Sequence, residues 1–544
     1  MRVRRTTDGL TVRAIAGPHV VLLGMDMPRA RTRGLLGFAI QRSGPGGQAG
    51  RWLRGVKVFR SQAAGVRPGA SVSLRRHPLQ SFLWGDYSPR PGLPYRYRVV
   101  GLYGTPAAPT IGAETVVDVV TEPTDDGEHA VFFNRGVAGS QGYRQRFGER
   151  VPRPDDRSDP AYTWLSRGLE EALLAFVAQA TGPRFGLRAS VYEFAYPPAL
   201  AALRAAVDRH ADVRIVYDRR GKPSADPARP RVWQVSEPAI AAAGLGGVMI
   251  PRTTNSAISH NKFLVLTEDG APTQVWTGST NLTWGGLFGQ SNVGHLSRSP
   301  AVAAAYLDYW GRLAGDPDYK VLRPGNMAAS PDPPPVPPPG VTPVFSPRRG
   351  LALIDWYAGL AARAERSFFM TAAFGVHDTI AAALAGQSDV LRYLVLEKPQ
   401  AGVAFDQDVD VKVAVGSFLE DDVLDRWTAE HLTGLNRNVR FSHTKYLLVD
   451  PVGDDPLVVT GSGNFSDASV GKNDENMLVI RGDTRVADAY LGEFMRVFNH
   501  FYFRWLRQKA TRGDDTAWLR EDDGWVARYY DPRTPSYRQR LLFR

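Results

Sequence analysis

Hydrophobic and polar positions change rhythm along the chain. Up to about residue 125, short β-type runs (LTVRAIA, GLLGFAIQR, RWLRGVKVF, SFLWGD, YRYRVVGLYG and ETVVDVVTE) alternate with Gly/Pro turns. Alternation of period two in YRYRVV and ETVVDVV gives each strand one core face and one wet face. Residues 1–125 are therefore expected to form an antiparallel, all-β sandwich. Residues 126–165 show little apolar period and read as a connector with one short helix. From Trp164 the spacing turns helical: WLSRGLEEALLAFVAQA and PALAALRAAVDRHA predict helices around the strands LRASVYEF and DVRIVYD. A second series starts near Leu351, with helices LALIDWYAGLAARAE and DTIAAALAG and strands SFFMTAAFG, VLRYLVLEK and DVKVAVG. Strands alternating with amphipathic helices predict parallel β-α-β units, so the expected fold class is α/β, in two halves at 166–325 and 348–508, behind the sandwich. Residues 326–347 are read as a Pro-rich linker, in which PDPPPVPPPGVTPVFSP imposes an extended, semi-rigid path, and 509–544 as a packed tail.

A search for internal repeats adds the chemistry. SHNKFLVLTEDGAPTQVWTGSTNLTWGGLFGQSNV (259–293) aligns without a gap on SHTKYLLVDPVGDDPLVVTGSGNFSDASVGKNDEN (442–476), at an offset of 183. His260 pairs with His443, Lys262 with Lys445, Ser279 with Ser462 and Asn281 with Asn464. Ten His and nine Lys in this length give roughly 0.2 chance H-x-K triplets, so two in matching frames are not accidental. The chain has 57 Arg, and retaining Lys at both positions points to a need for a compact ammonium donor. On a strand, His and Lys two residues apart share a face. The GS-x-N segment ends the next strand, where the Asn amide and Ser hydroxyl can donate to an anionic oxygen. Lys and Asn make a phosphate cradle, and His supplies a nucleophile or acid.

The pattern resembles the phospholipase D superfamily, whose signature is H-x-K-x-x-x-x-D followed downstream by G-S-x-N. The second copy matches it at His443, Lys445, Asp450, Gly461, Ser462 and Asn464, with Glu475 following in KNDEN. The first copy departs twice: Thr267 replaces the Asp, and Asn292 stands where the second copy has Glu475. The resemblance implies two halves meeting across a pseudo-two-fold axis at one site. It also implies a phosphohistidine intermediate with no cofactor or metal: one His attacks phosphorus while the other protonates the leaving oxygen. Carried over residue by residue, it makes His260 the nucleophile and His443 the general acid. Lys262, Lys445, Asn281 and Asn464 would hold the phosphoryl oxygens, with Ser279, Ser462, Asp450 and Glu475 in support. Glu475 is expected to serve His443, its neighbour in the same copy. Asp450 has a second reading as the anchor of the following PVGDD loop. Tyr192, Glu193, Phe374 and His377 follow the first strand of each half and are candidates for the substrate mouth, Tyr192 and Phe374 foremost. His295 and His431 are assigned no role.

Composition sets the range of substrates. The 544 residues make three or four folded units. The absence of Cys excludes thiol catalysis, thiolate metal sites and disulfides. A net charge of +11 favours polyanionic or anionic-surface partners. The N-terminus is interrupted by Asp8, Arg13 and His19 and is not read as a signal peptide, and no run reaches the ~18 apolar residues of a membrane span, so a cytoplasmic, soluble chain is expected. The leading expectation is hydrolysis of phospholipid head groups, at a peripheral anionic membrane surface. The alternative is a nuclease, favoured by the net charge and by KNDEN, which looks like the corresponding stretch of single-motif endonucleases. A third reading is a non-catalytic phosphate-binding module. In the N-terminal part, GFAIQR followed by SFLWGDYSPRPGLPYRYRVVGLYG resembles a fibronectin type III domain, which implies a binding or spacing role with an unidentified partner.

Overall fold

In the computed structural model the two copies of the motif lie on two seven-stranded sheets built to one plan. The described residues are 1–544 without 48, 67–69, 137–139, 149, 154–155, 228, 255–257, 387, 399, 401–402, 404–410, 416–441 and 511–517. The first sheet runs, in spatial order, His129–Phe133, Val293–Ser297, Ala271–Gly278, Lys262–Glu268, Phe185–Val191, Asp212–Asp218 and Met249–Arg252. The second repeats it position by position: Gly340–Ser346, Glu475–Arg481, Leu457–Gly461, Tyr446–Val449, Ser367–Ala372, Leu391–Leu396 and Val411–Val415. The helical crossovers produce the expected parallel pairs, Phe185–Val191 on Asp212–Asp218 and Ser367–Ala372 on Leu391–Leu396. The motif strands pair antiparallel, so each sheet is mixed. In the first half the cause is local: Asp269 (φ 49°) and Gly270 (φ 83°) both adopt the left-handed region that a two-residue hairpin turn requires.

The long helix Thr484–Ala510 fills the space beside both sheets. Tyr490, Phe494 and Phe498, at helical spacing, pack on Tyr446, Phe369 and Tyr393 with ring centroids 5.2, 5.2 and 4.5 Å apart. The N-terminal part is all-β, as expected. Two antiparallel four-stranded sheets, Arg2–Thr7, Leu10–Ala16, Val21–Asp26, Leu83–Asp86 and Ala108–Val120, Pro94–Thr105, Leu35–Ser43, Arg51–Trp52, face each other across one core. Tyr95, Tyr97 and Val99 alternate into that core from YRYRVV.

Three segments differ from the periodicity reading. The connector at 126–165 contributes an edge strand, His129–Phe133, and two helices, Ser140–Phe147 and Pro160–Ser166. The helix predicted from Trp164 is broken at Arg167 (φ 52°) and Gly168 (φ 97°) and resumes at Leu169. The linker at 326–347 is no free spacer. Gly340–Ser346 is the edge strand of the second sheet, with Pro343 tolerated because an edge leaves one side of the ladder unpaired. The preceding prolines are docked by Trp356 Nε1 on Pro334 O (2.8 Å), Arg363 Nη2 on Pro335 O (3.0 Å) and Arg481 Nη1 on Pro337 O (2.7 Å). The tail returns to the sandwich, where Trp525, Val526 and Tyr529 complete its core. His431 lies outside the described residues.

Candidate active site

Each H-x-K tripeptide enters its sheet at the junction between the halves. Ser259, before His260, bridges Asp474, before Glu475, and Ser442, before His443, bridges Ser291, before Asn292. The backbone bonds His260 N to Asp474 O (3.0 Å) and His443 N to Ser291 O (3.1 Å) make these crossings symmetric. The two imidazoles thereby face one another with ring centroids 6.4 Å apart. His260, Lys262, His443 and Lys445 are buried, and each Lys Nζ donates one hydrogen bond to the carbonyl of its own His, at 2.5 and 2.6 Å.

The glycine of GS-x-N is required by crowding. A Cβ on Gly278 would lie 2.3 Å from Val293 O, and one on Gly461 would lie 2.2 Å from Asn476 O. This close approach brings each Ser onto the neighbouring strand. Ser279 Oγ donates to Asn292 Oδ1 and Ser462 Oγ to Glu475 Oε2, both at 2.8 Å. The serine hydroxyls, expected to donate toward an anionic ligand, instead hold the residues that orient the histidines.

Those residues act across the junction, which corrects the expectation for Glu475. Its Oε2 lies 2.9 Å from His260 Nδ1, so it serves the histidine of the other half. His443 Nδ1 lies 3.0 Å from Asn292 Oδ1 and 3.1 Å from Ser279 O. The first-copy departure at 292 therefore bears on His443, and the two histidines have unlike partners, a carboxylate and an amide. Desolvation pushes the His260 pKa down to about 4, against the pull of Glu475. His443 lies well below its ordinary value through burial and the charges of Lys445 and Lys262. Burial tends to raise Glu475, but His260, Lys262 and Ser462 hold it below the usual carboxylate range.

The remaining expected residues are spread more widely. Asn281 Nδ2 donates to Glu193 Oε2 at 2.5 Å, and Asn464 sits half-buried at the matching position. Tyr192 packs edge-on to His260, ring centroids 5.0 Å apart, with Lys262 Nζ 5.3 Å from its ring centre. Phe374 is 53% exposed at the position matching Glu193. His377 caps the helix Asp378–Ala385 through Thr379 N (3.1 Å) and pairs with Asp467 at 2.8 Å. His295 is a core residue hydrogen-bonded between His129 (2.9 Å) and Tyr490 (3.0 Å). Asp450 stands at the opposite end of its strand from Lys445, where its carboxylate accepts the amides of Glu365, Arg366 and Ser367 at 2.7–2.9 Å.

Periodicity and motif spacing miss the outer ring of the site. Asp218 Oδ2 accepts from Ser259 N (2.7 Å) and Glu397 Oε2 from Ser442 N (3.0 Å), a matched pair that fixes the entry to each His. A carboxylate closing the second strand of each half, in DVRIVYD and VLRYLVLEK, is the signal that marks them. Asn134, from the supposed connector, accepts from Asn292 N at 2.9 Å and has no sequence signal.

Residues 402–498 match the family described as "Cardiolipin synthase, PLD-like domain". No curated protein matches the chain. Among solved structures, polyphosphate kinase from Porphyromonas gingivalis is 11% identical with a TM-score of 0.37, over 57% of this chain and 42% of that one. Phosphatidylserine synthase from Haemophilus influenzae is 13% identical with a TM-score of 0.40, over 64% and 91% of the two chains. Nuc, a phospholipase D family member from Salmonella typhimurium, is 27% identical with a TM-score of 0.22, over 27% and 87%. Among the described residues no helix is long and apolar enough to cross a membrane. Residues 402–498, in the second half, thus carry a PLD-like domain by similarity, and the H-x-K and G-S-x-N motifs stand in both halves.

Proposed function

We propose that the protein is a metal-independent phosphodiesterase working through a phosphohistidine on His260, with His443 as general acid, and that its substrates are phospholipid head groups. The unequal partners of the two histidines carry this reading. A carboxylate on Nδ1–H leaves the lone pair on Nε2 and stabilises the positive charge that grows as Nε2 bonds to phosphorus. An amide oxygen orients the ring without that charge, which suits a group that must release a proton. In the first step the His260 Nε2 lone pair forms the P–N bond, the P–O bond to the leaving group breaks, and that oxygen takes the proton of His443 Nε2. In the second, His443 Nε2 takes a proton from water, whose oxygen bonds to phosphorus as the P–N bond breaks. Lys262, Lys445, Asn281 and Asn464 offset the charge on the phosphoryl oxygens. Burial and the lysine charges pull His443 well below its ordinary value; a bound phosphodiester anion offsets those charges and favours the protonated ring.

The lipid reading is supported by the matched family description, by two halves in one chain that each carry H-x-K and G-S-x-N, and by a net charge of +11, which draws the protein to anionic surfaces. A nuclease reading is favoured by the exposed ring of Phe374, a stacking platform for a base. Turnover in EDTA on phosphatidylcholine/phosphatidylglycerol vesicles and on single- and double-stranded DNA, with His443→Ala as control, separates them. Head-group release without DNA cleavage is expected. DNA cleavage with inert vesicles would replace the lipid reading by the nuclease one, and no turnover of either, with phosphate-analogue binding retained, would leave a binding module.

A further inference from the structure

The first half lacks the carboxylate that Glu475 represents in the second, because position 292 is Asn. We infer that Glu193 supplies this charge from another wall of the same pocket, acting as a positioning residue that stands as counter-charge beside Lys262 and orients Asn281. The inference rests on the paired-histidine reading above and adds a residue to it.

Glu193 is 1% exposed, two residues beyond the strand Phe185–Val191. The turn it occupies is clamped to the GS-x-N loop by Leu282 N on Glu193 O (3.0 Å) and by the Phe194–Leu282 bridge. Its side chain reaches Asn281 Nδ2 at 2.5 Å, and with Tyr192, Lys262 and Thr280 it lines a small pocket under the motif strand. The second half offers no counterpart, since the matching residue is Phe374, exposed to solvent.

The charges around the lysines show what Glu193 does. Two buried ammonium groups repel each other and lose hydration, and both effects favour proton loss. Burial draws Lys262 down to about 8, opposed first by Glu475 and then by Glu193. Lys445 lies well below its ordinary value through burial and through Lys262, opposed by Glu475, Glu193 and Glu397. The other titratable groups facing the pair are His260, His443 and Tyr192, none of them anionic at neutral pH. Glu475 reaches His260 from the second half and Glu397 accepts the amide of Ser442, while Glu193 stands beside Lys262 in the first half.

Binding of tungstate, a phosphate-like oxoanion, measured by calorimetry from pH 6 to 9.5, tests this on the full chain. Glu193→Gln keeps an acceptor for Asn281 and removes the charge. At pH 6, with Lys262 still protonated, it should bind tungstate several-fold more tightly than the unaltered protein. Its affinity should then fail about one pH unit earlier on the basic side, so that the two curves cross. Glu193→Asp keeps the charge and should keep the basic limb in place. Parallel curves for Glu193→Gln and the unaltered protein, or an equal shift in Glu193→Asp, would overturn the inference. Tungstate binding breaks no P–O bond, so a protein inert on every phosphodiester would sink the proposed activity without touching this result.

Discussion

Three backbone amides converge on Asp450, yet the residue stands a full strand away from the lysine it shares a signature with. Its work is to tie the end of the helix Ala352–Arg363 to the sheet. Asp450→Ala should therefore cost about 1–3 kcal/mol in urea unfolding, while the folded fraction keeps its turnover number. The histidine pair makes a different prediction. His260 must be neutral to attack and His443 protonated to release the leaving oxygen, so kcat/KM should rise with pH through about 4 and fall again, below the ordinary histidine range, as His443 loses its proton. A profile with its acid limb near the ordinary histidine value would show that water reaches the His260 ring in solution. What was legible at this scale was whatever lies within one strand and its hairpin: spacing places His260, Lys262 and Asn281 in one hairpin and His443, Lys445 and Asn464 in another. The partnership of Glu475 with His260 was not legible, because it joins residues 215 positions apart and only the crossed packing of the halves creates it.

Elements with strong periodicity were legible, and short ones at sheet edges were not. His129–Phe133 and Gly340–Ser346 occupy the same edge of the two sheets, each beside the strand that follows GS-x-N. Five residues of HAVFF and a strand containing Pro343 carry too little alternation to stand out from the loops around them. The C-terminal turn Asp523–Tyr529 escaped for another reason: its aromatics are complementary to a core more than four hundred residues away. Trp525 lies against Phe82 and Phe38, ring centroids 5.6 and 6.3 Å away, and donates Nε1 to Leu35 O at 2.9 Å. Trp525→Ala should destabilise the sandwich by about 3–5 kcal/mol, seen as an earlier denaturant midpoint; an unchanged midpoint would mean that the turn only rests on the sheets.

At the scale of the whole molecule the two halves are bound through the residues that precede the catalytic candidates. Arg252, fully buried, donates Nε to Asp474 Oδ2 at 3.0 Å and Nη1 to Asp316 Oδ1 at 2.8 Å, while the carbonyl of Asp474 receives the amide of His260. Removing the arginine leaves the buried Asp474 carboxylate with the longer pair to Arg220 at 3.7 Å, so Arg252→Ala should cost about 3–5 kcal/mol and lose activity in the same step. Retained activity in a protein of lowered Tm would uncouple the junction from the chemistry. The return of Trp525 and its neighbours to the sandwich also sets an order of events during synthesis. The strands of the sandwich cannot close their interior until residues 523–529 are made, after both α/β halves. The nascent chain therefore carries an open, apolar sandwich while both α/β halves are made, and the sandwich can seal only after the pocket between the halves has had time to form.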